Sequence, residues 1–466
     1  MTPILYAALG LLAALAPLAL AEWAPPFVGI SYSQRSLPFE LLGLSGGALW
    51  LFAAWRAWPR ARTGVAPLLE AAAPLLVALH FLVLTSEYAE HRFDYDCYEY
   101  AGRALLAGQN PYKVGLIYLY PPLTAKAMAA AFEATNAVST SLGWSAARDD
   151  VWDRVFYLYQ CAQLALAIGA YLLLRRFARA VNLDAVWAPV LVGALLVFDN
   201  PLFRTLRHGQ VNLWILDLSL ASVLAAKRIP ALSGAALALA GHVKLYPLLL
   251  ALPMAIRRRW RALAWSAGFL ALIALALADW GRDLTLWREF ADFARRDFPG
   301  EIALRNTSPH AIAWNATRFL TGAPRAVGAL AKIAAAGFAA WYAARAWRRE
   351  RALREATLRG AGEGVEARAF ATHAADALAF SLLVSPSVWE HHYVLALPLA
   401  LVAAALRGSE RPGLVALGLF LVFGMPTFDL FPLSLHRLAG MWMLLALTPA
   451  RRVDASRSRE EAQRVD

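Results

Sequence analysis

The chain is organised around residues 91–123, which read HRFDYDCYEYAGRALLAGQNPYKVGLIYLYPPL. This stretch carries two aspartates, one glutamate and six tyrosines, whereas most other long stretches of the chain are apolar. Asp94 and Asp96 precede a helix predicted over Tyr98–Leu106, and Gly108 stands where a helix stop is expected. Both carboxylates would then lie near the positive end of a short helix. The pattern indicates a site that handles a polar group.

The composition is that of an all-α polytopic membrane protein. Of the 466 residues, 59% are hydrophobic, and the mean hydropathy is +0.47. The net charge of +12 could suggest a nucleic acid partner, but the arginines fall in short clusters between apolar runs, as in cytoplasmic loops of membrane proteins. We therefore exclude nucleic acid and expect membrane lipid head groups as the counter-charge. Cys97 and Cys161 are too few for a disulfide framework and are predicted to be free thiols.

Apolar runs recur along the chain and predict about twelve membrane spans. The first run lacks a basic amino-terminal region and is followed by others, so we interpret it as a retained span and not as a signal peptide. After the third run, a long outer loop is predicted over 86–153. The predicted spans are Ile4–Ala21, Leu41–Trp55, Val65–Leu84, Val155–Leu174, Ala185–Val197, Val211–Ala226, Ala262–Ala278, Val327–Tyr342, Ala371–Val384, Tyr393–Leu406, Gly413–Gly424 and Leu438–Leu447.

The positive-inside rule places the arginine clusters in the cytoplasm, including a basic loop over 343–370 and a tail over 451–466. The run Arg345–Arg359 is interpreted as a solvated cytoplasmic face. If Leu232–Ile256 crossed the membrane once, every later cluster would lie outside, so a re-entrant hairpin is predicted there. Its tip would be Gly241–Pro247. A non-helical turn at membrane depth must be buried in protein or line a water-filled cavity, so Lys244 is predicted to face a cavity.

Other polar residues collect on the outer side in this topology. If the stretch between the spans is helical, Arg204, His208 and Asn212 share one face because they are four residues apart. Asn306 lies in another predicted outer loop, and His391 and His392 follow the end of a span. Adjacent histidines on a helix point in different directions and rarely ligate one metal, so no structural zinc is predicted.

These residues resemble the motifs of a known family. In chain order they read Phe-Asp-x-x-x-Tyr, Gly-x-x-Leu-Leu-x-Gly-x-Asn-Pro-Tyr, Tyr-Pro-Pro-Leu, Gly-Gln-Val-Asn, Lys-Leu-Tyr-Pro, Asn-x-Ser and Ser-Pro-x-x-Trp-x-His-His-Tyr. From Phe93 to Tyr393 the series resembles glycosyltransferase family 87. Its members are polytopic GT-C enzymes, including polyprenol-phosphate-mannose-dependent α-1,2-mannosyltransferases and an arabinofuranosyltransferase. The chain departs from the family pattern in two extra apolar runs before the outer loop and in a second carboxylate, Asp96.

The resemblance implies a single domain over 1–466 with a GT-C helical bundle and an outer loop of short helices. It implies an inverting transfer of a sugar, mannose above all, from a polyprenyl-phosphate donor to a lipid-linked or cell-envelope glycan. The active site would face outward from a bacterial inner membrane. The sugar, the acceptor and the linkage stay open at this point. Arabinofuranosyl transfer by the same family is the first alternative.

The implied chemistry needs a base and groups that stabilise a departing phosphate. The family's catalytic aspartate aligns with Asp94, although Asp94 could instead cap a helix and Asp96 could be the base. The tyrosines of the loop could stack on sugars or anchor the membrane interface. No cofactor and no metal are expected. Residues expected to bind the donor phosphate or sugar are Lys244, His391, His392, His208 and Arg204, and those expected to contact sugar or acceptor are Asp96, Tyr98, Gln210, Asn212 and Asn306.

Two other classes of protein compete with the enzyme. A transporter or lipid flippase often shows an inverted repeat with broken helices at matching positions in its two halves. Only one broken segment, Leu232–Ile256, is recognisable in the sequence, and the outer loop is not repeated. A non-catalytic membrane subunit would not need an aspartate, a lysine and a His-His pair on one side of the membrane. The pattern therefore favours an enzyme.

Overall fold

The structure is a computed structural model of the 466-residue chain. It describes residues 73–75, 77–83, 92–114, 118–183, 187–295, 305–317, 324–358, 363–425, 427 and 431–448. All regular elements in these ranges are helical, which confirms the all-α class. Four predicted features lie outside the described residues: the spans Ile4–Ala21 and Leu41–Trp55, residues 86–91 of the outer loop, and the tail 451–466.

Proline marks the start of several α-helices. Pro122 and Pro230 open two of them at the first turn, where a missing N–H costs nothing. In chain order the helices are α1 Tyr95–Leu106, α2 Pro122–Ser141, α3 Arg148–Ala180, α4 Trp187–Val197, α5 Asn200–Arg207, α6 Asn212–Ala225, α7 Pro230–Val243, α8 Ala251–Ile256, α9 Trp260–Leu277, α10 Thr285–Arg295, α11 Pro309–Thr317, α12 Pro324–Leu358, α13 Glu363–Val384, α14 Leu397–Arg407, α15 Pro412–Leu419 and α16 His436–Leu447.

The helix of the central stretch starts earlier than predicted. We expected Tyr98 as its first residue, but α1 begins at Tyr95, so Asp94 is the residue directly before it and Asp96 is in its first turn. The predicted stop is confirmed. Gly108 has a φ of +70°, which glycine adopts without steric cost, and its N–H donates to the carbonyl of Leu105.

The chain divides into two compact units. The described residues of the first lie in Ala71–Leu173 and Pro201–Glu301, and those of the second lie in Leu174–Asn200 and Ile302–Asp466. In the first unit, α7 packs between α6 and α9. Ser222 of α6 and Ser233 of α7 each donate a hydroxyl hydrogen bond to the other's backbone carbonyl, at 2.9 and 2.8 Å. These paired bonds hold two apolar helices in one register.

In the second unit, α12, α13 and the end of α16 share a buried ionic cluster. Arg345 donates to the two carboxylate oxygens of Asp376 at 2.8 and 3.2 Å, and Arg349 also pairs with Asp376. Both arginines donate to the carbonyl of Thr448. Asp376 is 1% exposed and Arg349 is 5% exposed. The interpretation of this basic run as a solvated face is therefore wrong for these two arginines, because one carboxylate draws them into the interior.

Among the described residues, three helices are long and apolar enough to cross a membrane, judged by length and composition. They are α3, α9 and the part of α12 from Val327 to Leu358, and α4 with α5 would make a fourth if the pair is one broken span. The other apolar helices of the described residues are shorter than a bilayer requires. The count of about twelve spans stays a prediction.

The segment predicted to be re-entrant is broken where the sequence indicates. Helix α7 ends at Val243, Lys244 is extended with φ −149° and ψ 146°, and a 3₁₀ turn over Tyr246–Leu250 leads into α8. A side chain on Gly241 would meet the Leu248 side chain at 2.5 Å, so the glycine lets the returning chain pack closely without moving Leu248. The break is thus observed, and the return to the same membrane face stays a prediction.

Candidate active site

Asp94 is half-buried in the first unit, at the residue before α1. A capping aspartate would bond to backbone N–H groups of the first helical turn, but the Asp94 side chain makes no such bond. Its Oδ2 instead accepts a hydrogen bond of 2.5 Å from Nε2 of Gln210, which is 116 residues away in sequence. The geometry therefore favours a site role for this carboxylate over a capping role.

The backbone at Asp94 is fixed from two directions. Its N–H donates to the carbonyl of His208 at 2.9 Å, and the neighbouring Tyr95 ring packs on Phe156 and Tyr159 at 4.8 and 5.0 Å between centroids. Gly209 makes this approach possible, because it has a φ of +64° and a side chain there would meet Tyr95 Cβ at 2.9 Å. The sharp turn after α5 thus delivers Gln210 to the carboxylate.

The turn at Gly209 shows that the predicted continuous helix over this stretch is wrong. Arg204, His208 and Asn212 do not share one helix face, because α5 ends at Arg207 and α6 begins at Asn212. The left-handed conformation of Gly209 interrupts the helix. Arg204 is buried on α5, whereas His208 is half-buried and sets its ring against Phe93 at 5.6 Å. Their roles in donor binding stay predictions.

Two buried tyrosines surround the Gln210 amide. The hydroxyls of Tyr98 and Tyr120 lie 3.4 and 3.3 Å from Gln210 Oε1 and 3.0 Å from each other. Burial raises the pKa of both phenols above its ordinary value, so they remain protonated donors at neutral pH. The backbone carbonyl of Gln210 accepts a hydrogen bond of 2.7 Å from Nε2 of Gln163. Tyr98 therefore belongs to a fixed hydrogen-bond network.

Lys244 lies in the same unit, at the break after α7. Its ammonium donates to Asn212 Oδ1 at 3.3 Å, and the Tyr246 hydroxyl reaches the same oxygen at 3.3 Å. The ammonium also lies 5.3 Å from the centroid of the Tyr120 ring, within the range of cation–π attraction. Its charge interacts with that of Asp94. The structure therefore brings a carboxylate and a cation to one polar cluster, together with Tyr98, Gln210 and Asn212.

Asp96 has a different environment from Asp94. It is exposed in the first turn of α1. Partial desolvation raises the pKa of its carboxyl, while the positive charge of Arg92 acts in the opposite direction. Gln210 bonds to Asp94 and not to Asp96, and this contact favours Asp94 as the base.

An ion-pair network ties α1 and the residues before it to the start of α3. Arg92 donates to Asp153 at 2.6 Å, and Arg103 pairs with Asp149 at 3.0 Å and with Glu99 at 2.9 Å. Exposed pairs contribute little each, roughly 0.2–1 kcal/mol, but several in a network add rigidity. The network lies beside Asp94 in sequence and was not foreseen, because it joins residues about fifty positions apart.

The second unit contains the remaining predicted site residues. His391 and His392 are buried in a 3₁₀ turn over Glu390–Ala396, with ring centroids 4.5 Å apart. His392 Nδ1 accepts the backbone N–H of Trp389 at 2.9 Å, so the neutral ring carries its proton on Nε2. Buried Arg437 of α16 is in the same unit, and its N–H donates to the carbonyl of Met425.

Asn306 has a structural task in the second unit. Its Oδ1 accepts the backbone N–H groups of Ser308 and Val388, both at 3.0 Å. Thr307 adds a bond of 2.9 Å to the hydroxyl of Tyr393. These bonds hold the loop of Asn306 against the segment that carries His391. These hydrogen bonds do not test the predicted contact of Asn306 with sugar, which stays a prediction.

A match to a protein-family model shows to which family the chain belongs. The model is that of glycosyltransferase family 87, and it matches residues 118–365, just over half of the chain. The chain belongs to glycosyltransferase family 87. It is therefore an enzyme that transfers glycosyl groups.

Three mycobacterial relatives are similar to this family 87 enzyme. One from Mycolicibacterium smegmatis is 28% identical over 388 residues, which cover 76% of this chain and 80% of the relative. One from Mycobacterium tuberculosis is 26% identical over 454 residues, which cover 92% of this chain and 91% of the relative. Both are named polyprenol-phosphate-mannose-dependent alpha-(1-2)-phosphatidylinositol mannoside mannosyltransferases. A third, also from M. tuberculosis and 28% identical over 56% of each chain, is named for a phosphatidylinositol pentamannoside acceptor. No solved structure matches the chain.

The family match includes some site residues and leaves others outside. Tyr120, Gln210, Asn212 and Lys244 lie within residues 118–365, whereas Asp94 precedes that range. The two histidines of the 3₁₀ turn follow it. The role assigned to Asp94 therefore rests on the local motif of the sequence and on the hydrogen bond from Gln210.

Proposed function

We propose that this family 87 enzyme transfers mannose from a polyprenyl-phosphate donor to a lipid-linked glycan of the phosphatidylinositol mannoside type. The donor and acceptor classes are those in the names of the relatives from M. smegmatis and M. tuberculosis. The observation that carries the proposal is the hydrogen bond of 2.5 Å that holds the Asp94 carboxylate, in a cluster that also contains Lys244. A membrane enzyme of this kind needs one base and one cation near the reacting atoms.

The reaction is a single displacement. An acceptor hydroxyl attacks the anomeric carbon on the face opposite the phosphate, and its proton passes to the Asp94 carboxylate. The bond between the anomeric carbon and the phosphate oxygen breaks, and polyprenyl phosphate leaves with the electron pair. The configuration at the anomeric carbon is inverted. A carboxylate has about four lone-pair sites, so Asp94 can accept this proton while it remains bonded to Gln210.

Lys244 serves the leaving group in this proposal. A departing phosphate monoester gains negative charge, and an ammonium close to it stabilises that charge strongly in a site that excludes water. Asn212 and the Tyr120 ring hold the ammonium in place. The proposal requires no metal ion, because a fixed cation meets the same need. The expected roles of His391 and His392 in donor binding stay predictions.

The transfer itself is tested with the purified full-length chain in lipid vesicles. Radiolabelled polyprenyl-phosphate mannose is offered with phosphatidylinositol mannosides, and matched reactions contain polyprenyl-phosphate arabinofuranose or glucose. Label should move to the glycolipid acceptor from the mannose donor. Preference for arabinofuranose would support the alternative activity of the family. Movement of the donor across the bilayer without any glycosylated product would contradict the enzymatic proposal and indicate a flippase.

The site is proposed to face the outside of a bacterial inner membrane, with the amino and carboxyl termini in the cytoplasm. The arginine clusters support this orientation. In a cysteine-free variant, single cysteines at the exposed positions Ala146 and Thr357 should react with a membrane-impermeant maleimide from opposite sides. Ala146 should be modified in intact cells and Thr357 only after permeabilisation. Modification of both positions in intact cells would show that the orientation is wrong.

A further inference from the structure

The Gln210 side chain has an unusual set of partners for a residue expected to touch sugar. Its Nε2 donates to Asp94 Oδ2 at 2.5 Å, and its Oε1 faces the hydroxyls of Tyr98 and Tyr120 at 3.4 and 3.3 Å. Both ends of the amide are thus engaged within the protein. Gln210 is also buried, with 4% of its surface exposed.

We propose that Gln210 is a positioning residue for the base, which orients the Asp94 carboxylate and keeps it ionised. The inference rests on the proposed function, in which Asp94 takes the proton of the acceptor. An N–H donor favours the charged form of a carboxylate, because it stabilises the anion more than the neutral acid. Gln210 thereby acts through Asp94 and needs no contact with the sugar.

The Asp94 carboxylate fixes which end of the Gln210 amide faces it, because an ionised carboxylate accepts hydrogen bonds and donates none. Burial keeps both phenols protonated, so the Tyr120 hydroxyl can donate to Gln210 Oε1 while Tyr98 donates to Tyr120 at 3.0 Å. A chain of donors therefore runs from Tyr98 through Tyr120 and Gln210 to the carboxylate. A reversed amide would place its oxygen, which is an acceptor, against the carboxylate, which is also an acceptor when ionised. Such a reversal would cost the hydrogen bond to Asp94 in a buried site.

The backbone of Gln210 is equally restrained. Its N–H donates to the carbonyl of Thr205 at 2.8 Å, and its carbonyl accepts from Gln163 Nε2 at 2.7 Å. The tight turn at Gly209 lies directly before it. The backbone that carries the Gln210 side chain is therefore held in place, as expected of a residue that positions another.

The charges around Asp94 make the inference testable by pH. The ionisable groups that interact with it include Lys244, Cys97, Tyr98, Tyr120 and Tyr159. Burial raises the pKa of the Cys97 thiol to about 11, so the thiol and the phenols are neutral near pH 7. Lys244 is the cation of the set. A glutamate at position 210 would therefore place a second carboxylate directly beside Asp94, where two like charges share one proton.

The experiment measures turnover against pH for Gln210→Glu in vesicles. Asp94 must be ionised to act as a base, so a raised pKa moves the acid limb of the profile to higher pH. We expect a shift of about 1 to 3 pH units, so the variant loses activity first at the acid end of the profile and keeps most of it at pH 9. The KM for the donor should change less than threefold. Gln109→Glu, at an exposed position of the same unit, adds an equal charge and should leave the profile unchanged.

Gln210→Met supplies a second readout should the glutamate variant fail to fold. Methionine fills a similar volume without the N–H, so turnover should fall about tenfold, the free-energy equivalent of one hydrogen bond to a charged group. Its acid limb should also move to higher pH. If the folded Gln210 variants keep the pH profile of the wild type while Asp94→Asn is inactive, the positioning role is wrong. The proposed function is then not affected. An active Asp94→Asn variant overturns the proposed function itself.

Discussion

We expect Asp94→Asn to lower the rate of mannose transfer about 10²- to 10⁴-fold, because removal of a proton by a positioned group contributes that much to a rate. Asparagine has the shape of aspartate but cannot take the proton. The measurement is the single-turnover rate with saturating polyprenyl-phosphate mannose, which reports chemistry without product release.

Donor affinity and folding of the Asp94→Asn variant should be close to those of the wild type. The Asp94 side chain makes no capping bond to α1, so the start of the helix does not depend on its charge. Donor affinity is measured by titration of the purified variant, and folding by its elution as a single species. A loss of donor binding equal to the loss of rate would instead place Asp94 among the donor-binding groups.

Lys244→Ala has the second largest expected effect, and it falls on donor binding as well as on turnover. A hydrogen bond to a charged group is worth about 1.5–3 kcal/mol, which corresponds to a loss of roughly 10- to 150-fold in donor affinity. Polyprenyl phosphate, the product, should also bind more weakly, because it carries the same anionic group. The measurement is a binding titration with each lipid.

Lys113→Ala provides the matched control for this prediction. Lys113 is an exposed lysine of the same unit that pairs with Glu289 at 2.5 Å. Its loss removes an equal charge from the protein without touching the polar cluster, so binding of both lipids should stay within twofold of the wild type. Equal losses in the two variants would mean that only the net charge of the unit matters, which contradicts a phosphate site at Lys244.

Local signals in the sequence predicted several parts of the fold and of the candidate site. The Asp94 motif, the helix stop at Gly108 and the break near Lys244 each depend on residues within one or two turns of chain. Glycine and proline restrict or permit particular backbone conformations, so their positions can be read directly. The predicted first helical residue was three positions late, because helix starts depend on weak local preferences.

Contacts between distant residues could not be read in this way. The family resemblance implied a contact of Gln210 with sugar or acceptor, and no local signal indicated that its amide bonds to Asp94, 116 residues away. Arg345 and Arg349 looked like solvated arginines of a basic run, but Asp376 of the following helix pairs with both. In each case one partner decides the environment of the other, and only packing shows which residues become partners.

The comparison of Asp94→Asn with Asp96→Asn tests the central claim most directly. The two carboxylates lie two residues apart, yet Asp94 is half-buried and bonded to Gln210 whereas Asp96 is exposed. The measurement is the single-turnover rate of mannose transfer by both variants under the same conditions. The account predicts that the Asp94 variant loses at least about a hundredfold in rate and that the Asp96 variant stays within threefold of the wild type. A nearly normal rate for the Asp94 variant beside an inactive Asp96 variant would contradict it.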